Sequence, residues 1–124
     1  MGEITIRQQA YVRNTEPVTV SISYSPERRA LTISPTEIVL SKGSRQEVRW
    51  KSENGRVEII FDRPGPFYYY HYRCPVKGVC LSGVLNDEVG VRTYSYAVRV
   101  VSDEADQNYP AEVRASVIVK QQAA

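Results

Sequence analysis

Apolar side chains recur at every second position through much of this chain, and that period of two restricts the fold class more than any other feature. Val18, Val20, Ile22 and Tyr24 alternate with Thr19, Ser21 and Ser23. Successive side chains of a strand point to opposite faces, so such a run builds one dry face and one wet face. Val48 and Trp50 alternate with Glu47, Arg49 and Lys51, and Val57, Ile59 and Phe61 alternate with Glu58 and Asp62. Tyr94, Tyr96, Val98 and Val100 repeat the pattern against Thr93, Ser95, Ala97 and Arg99. Val113, Ala115, Val117 and Val119 do so against Arg114, Ser116 and Lys120. These runs are rich in β-branched and aromatic residues, which suit a pleated, half-buried surface. No segment carries an apolar stripe of helical period.

Turn residues separate the runs: Ser25-Pro26, Lys42-Gly43-Ser44, Asn54-Gly55, Pro64-Gly65-Pro66, Lys77-Gly78 and Asn86-Asp87. Asn54-Gly55 between two alternating runs predicts a tight hairpin. About seven to nine short strands at this spacing predict an all-β, two-sheet Greek-key β-sandwich. The irregular stretches Asp62 to Glu88 and Asp103 to Pro110 are expected as surface loops beside it, where loops usually carry function.

A chain of 124 residues falls in the range of a single domain, taken here as residues 1–124. Roughly two-thirds of the unfolded surface can be buried at this size, so a core forms without metals or disulfides. Apolar residues make up 42% and charged residues 24%, which argues against a disordered chain. Sixteen basic and 14 acidic side chains leave a net charge of +2, too little to drive association with nucleic acid or an anionic membrane. No apolar run is long enough to span a membrane, so no membrane insertion is expected. The start, MGEITIRQQAYVR, alternates from Ile4 onward and lacks the continuous apolar stretch of a signal peptide. Cytoplasmic is therefore the default expectation. A mature domain whose leader had been removed would be secreted or periplasmic.

The stretch from about Leu31 to Lys120 carries a more particular pattern. Ile33-Ser34-Pro35-Thr36-Glu37-Ile38-Val39-Leu40 precedes Lys42-Gly43, and Glu47-Val48-Arg49-Trp50 follows. Asn54-Gly55 leads into Ile59-Ile60-Phe61-Asp62, then Gly65-Pro66-Phe67. Arg92-Thr93-Tyr94-Ser95-Tyr96 and Val113 to Val119 complete the series. In this order the segments resemble the strands of the cupredoxin-like sandwich family, and an immunoglobulin-like sandwich is the related alternative. The resemblance implies the fold without the family's copper chemistry, which needs two imidazoles, a thiolate and usually a thioether. It places the first histidine at Val57 or Glu58 and the cysteine at Val98. The second histidine and the methionine would fall in Asp103 to Pro110, which contains neither. His71 is the single histidine and Met1 the single methionine. No cofactor and no metal are expected.

Phe67-Tyr68-Tyr69-Tyr70-His71-Tyr72-Arg73 is the most unusual stretch. Read as a strand, it turns at least two rings outward, where they can contact a partner's apolar surface or stack on sugars. Those seven residues are the candidate binding segment. Beside them Cys74 and Cys80 enclose Pro75-Val76-Lys77-Gly78-Val79 and either form a local disulfide or stay as thiols. His71, Cys74 and Cys80 fall short of the four ligands of a closed zinc site. Asp103-Glu104-Ala105-Asp106-Gln107-Asn108 lacks the glycine of a dedicated calcium loop. No nucleophile elbow or phosphate-binding glycine loop is present, so an enzyme is not expected. Arg63, Arg73 and Lys77 flank the tyrosines but are too few to favour nucleic acid.

These readings converge on a metal-free protein-interaction module, with a homo-oligomer through an edge strand as one form of partnership. The alternatives are a carbohydrate-binding module stacking sugars on Tyr68 and Tyr70, or on Tyr69 and Tyr72, and a structural domain of a larger secreted or surface protein.

Overall fold

The alternating runs become strands of two packed sheets. The structure, a computed structural model, describes residues 16–86, 88–101 and 111–121. β1 (Val18–Ser25), β2 (Ala30–Ser34), β4 (Val48–Ser52) and β7 (Val79–Leu81) form a four-stranded sheet in the order β2-β1-β4-β7. β3 (Glu37–Ser41), β5 (Arg56–Phe61), β6 (His71–Cys74), β8 (Thr93–Val101) and β9 (Glu112–Lys120) form a five-stranded sheet in the order β3-β9-β8-β5-β6. The described residues contain no helix.

Most neighbours run antiparallel, but β1 pairs with β4 and β3 with β9 in parallel. Between β2 and β3 the chain leaves one sheet for the other at Pro35. Proline has no N–H to give to a ladder, so its place is where the ladder ends. Inward side chains of the two sheets meet in one core, with Trp50, Tyr96 and Phe61 its largest fully buried members. Their rings pack on one another, Trp50 on Tyr96 at 5.7 Å and Phe61 on Tyr96 at 4.9 Å between centroids. Trp50 Nε1–H donates to the Tyr96 hydroxyl at 3.3 Å, so the buried indole keeps a partner.

Asn54-Gly55 does not close a hairpin. β4 and β5, which it joins, belong to different sheets, so the turn is a corner across the sandwich. Asn54 instead mimics a strand neighbour for Tyr24: its Oδ1 accepts from Tyr24 N–H at 2.8 Å and its amide donates to Tyr24 C=O. The buried Ser52 hydroxyl donates to Gly55 C=O at 2.6 Å, and Gly55 takes φ +81°, a conformation that favours glycine. The stretch from Asp62 to Glu88 also differs from expectation. It is not only loop, because it supplies an edge strand to each sheet, β6 and β7.

Candidate functional site

The aromatic segment is built from the buried residues outward. Phe67 is in the core, only 4% exposed, with its ring against Phe61 at 5.7 Å and its backbone in an isolated bridge to Leu85. Phe61 N–H donates to Tyr70 C=O at 2.7 Å, which ties the far end of the segment to β5. Between those anchors Tyr68, Tyr69 and Tyr70 form a loop rather than a strand; regular pairing begins at His71. Loop backbone need not alternate faces, so all three phenol rings point outward, 68%, 71% and 43% exposed.

Two members of the candidate segment are therefore corrected. Phe67 and Tyr72 are core residues and cannot contact a partner. The Tyr72 ring lies 5.1 Å from Trp50, and its hydroxyl donates to Ser82 C=O at 2.9 Å, with Tyr69 C=O also in reach at 3.0 Å. Burial raises the Tyr72 phenol well above its ordinary range, and the neighbouring Tyr69 adds to the rise. It stays a neutral donor that pins the tyrosine loop to the chain just after β7. Burial also raises Tyr96, partly offset by the Trp50 hydrogen bond. The pairing of Tyr69 with Tyr72 as a sugar platform falls with the burial of Tyr72.

His71 and Arg73 lie on the outer face of β6. His71 Nε2 sits 2.5 Å from Glu58 Oε2 of β5, and Glu58 is nearly buried. Register puts Glu58 directly across from Arg73 on one side and Arg99 on the other, so a carboxylate on an outer sheet face is shielded by its neighbours. Nothing local announces this contact, because it depends on which strands become neighbours. Arg63 caps the ring of Tyr70, its guanidinium 4.7 Å from the centroid, a cation–π contact that holds one outward ring in place.

Cys74 and Cys80 are joined by a disulfide, with Cα atoms 5.4 Å apart. Cys74 belongs to the five-stranded sheet and Cys80 to the four-stranded one, so the bond staples the two sheets together along one side. Leu81, Val79 and Val76 are each about half exposed around it. The three tyrosines and this stapled seam share one side of the molecule, linked through Tyr72 and Ser82. At the opposite end of β6 from the tyrosines, a cleft of about 490 Å³ is lined by Arg56, Val57, Glu58, Arg73, Cys74, Pro75 and Val101.

Where the family resemblance places copper ligands, the residues do not fit the ion. Val57 and Val98 are fully buried hydrocarbon side chains in the core, and Glu58 is on the outer face against His71. No group of three or more His, Cys, Asp or Glu side chains gathers to hold a metal among the described residues. The acidic stretch Asp103 to Asn108 lies outside the described residues. Among them, no helix is long and apolar enough to cross a membrane. No protein-family model and no curated protein matches this chain.

Proposed function

We propose that this protein is a metal-free sandwich of the cupredoxin-like kind acting as a non-catalytic protein-interaction module. The observation that carries the reading is the exposure of Tyr68, Tyr69 and Tyr70 on a loop whose backbone is fixed at both ends. Folding ordinarily hides such area. A held loop of phenol rings offers large apolar contact at small entropic cost, which is the profile of an interface anchor. The strands that carry the cupredoxin resemblance, β2 to β5, β8 and β9, all belong to the two packed sheets, and this supports that fold family. Common folds often keep the scaffold and exchange the site. His71, the single imidazole, sits against Glu58, and among the described residues no hydrogen bond joins it to a hydroxyl or thiol, which supports the non-catalytic part. The disulfide supports a secreted or periplasmic setting over the cytoplasmic one.

The test is capture from the source organism's extract by wild type and by a Tyr68→Ala, Tyr69→Ala, Tyr70→Ala variant, with a glycan array beside it. The side chains are exposed, so the variant folds. A partner protein held by wild type is expected to bind the variant at least about a hundredfold more weakly. Equal capture by both retires the tyrosine loop. Glycan binding that depends on Tyr68 and Tyr70 would replace this reading with the carbohydrate one.

A further inference from the structure

Deepening the interaction reading and resting on it, we propose that β7 is a docking edge for an extended, carboxylate-bearing segment of the partner protein, which adds to the four-stranded sheet as a further strand. Among the described residues β7 is the last strand of its sheet and pairs with β4 alone. Ser82 N–H donates to Val48 C=O at 2.9 Å and Ser52 N–H to Gly78 C=O at 3.0 Å. Antiparallel pairs alternate, so with those positions bonded the backbone of Cys80 faces β4, and the N–H and C=O of Val79 and Leu81 face away from it. Among the described residues no strand meets these donors and acceptors. The side chains of the same two residues are 46% and 50% exposed. Natural edges are commonly protected by charge, proline or a bulge, and β7 itself, Val79-Cys80-Leu81, has none of these.

The charge of the sheet states what the added strand carries. In β1, β2, β4 and β7 there is no aspartate or glutamate; the charged residues are Arg49 and Lys51, which lie directly across from Leu81 and Val79. Arg49 donates to the Thr19 hydroxyl, while Lys51 and Lys77 form no ion pair among the described residues. The carboxylates that do sit in strands, Glu37, Glu58 and Glu112, all belong to the other sheet. In a segment alternating apolar residues with Asp or Glu, the backbone satisfies the open edge, the carboxylates share the outer face with Arg49 and Lys51 beside Val79 and Leu81, and the apolar residues turn to the inner face on which Cys80 lies. A second copy pairing β7 against β7 would bring the same cations and no carboxylate to the seam, so the chemistry disfavours that symmetric pairing and favours a different chain.

A displayed library of random peptides, selected on the intact disulfide-bonded protein, tests this. Enriched peptides are expected to alternate apolar and acidic residues and to bind more weakly at high salt. Leu81→Pro removes an N–H that faces away from β4 and leaves the β4 ladder intact, and binding is expected to fall about tenfold or more. Near-ultraviolet dichroism of the buried Trp50 verifies that this variant folds. Lys51→Glu, which leaves the backbone untouched, is expected to weaken the same peptides. Failure to enrich any peptide, enrichment of basic ones, or equal binding to Leu81→Pro and Lys51→Glu would overturn the proposal. Loss of partner capture by the triple tyrosine variant with no effect of Leu81→Pro would also overturn it, while leaving the tyrosine surface standing. Dimerisation abolished by Leu81→Pro would overturn it in favour of a second copy.

Discussion

Replacing Trp50 with alanine lowers the free energy of unfolding by about 3–5 kcal/mol, the range for a large buried aromatic cut to a methyl group. Trp50 is fully buried and touches three other rings, those of Phe61, Tyr72 and Tyr96, at centroid distances from 5.1 to 6.1 Å. Its removal costs the apolar transfer energy, leaves a cavity between two sheets that cannot collapse together, and takes the indole N–H from the Tyr96 hydroxyl. Against a total stability of about 5–15 kcal/mol for an ordinary domain, that is a large share. Urea unfolding followed by far-ultraviolet dichroism measures it, since the chain has one tryptophan and the variant loses the indole emission. The midpoint drops while the slope holds. A loss below about 1 kcal/mol would mean that the two sheets do not meet around this ring.

Opening the Cys74–Cys80 disulfide has the second-largest effect on stability. The bond closes a loop with a sequence separation of 6, and the chain-entropy relation assigns about 2 kcal/mol to a ring of that size. The loss is concentrated at β7, a strand of three residues with a single ladder partner. In the Cys74→Ser, Cys80→Ser variant, amide exchange at position 80 and at Ser82, whose N–H groups face β4, is expected to accelerate more than in β8 or β9, and the urea midpoint to fall. Unchanged exchange at β7 would show that its ladder to β4 holds without the staple.

How far the fold was legible depends on whether the information was local. β1, β4, β5, β8 and β9 each have a buried face written into their alternation, and they appear where it predicts. β6 and β7 are too short to establish a period, so in the sequence they are indistinguishable from the irregular stretch around them. Asn54-Gly55 predicts a hairpin but makes a corner, because its turn chemistry is satisfied equally by either. Which sheet β5 joins is decided by its pairing with β8, far along the chain.

The candidate site follows the same division. An aromatic run is plain in the sequence, and so is the chance that some of it is exposed. Which rings are outside was not readable from strand alternation, because Tyr68 to Tyr70 are loop and only Tyr72 obeys the alternation of β6. The Glu58–His71 contact and the stapling of two sheets by Cys74 and Cys80 arise from neighbours that only the folded chain creates. The cations of the four-stranded sheet, whose strands carry no carboxylate, are plain in the sequence, but their grouping needs the strand order.

The central claim is that the side carrying the tyrosine loop and the β6–β7 seam is where a partner protein sits. Amide hydrogen exchange of this protein, free and in complex with a captured partner, tests it most directly. The account predicts slowed exchange confined to residues 68–70 and 77–82, with β2, β3 and β9 unchanged. Protection centred on β2 and β3, at the other edges of the two sheets, would contradict it.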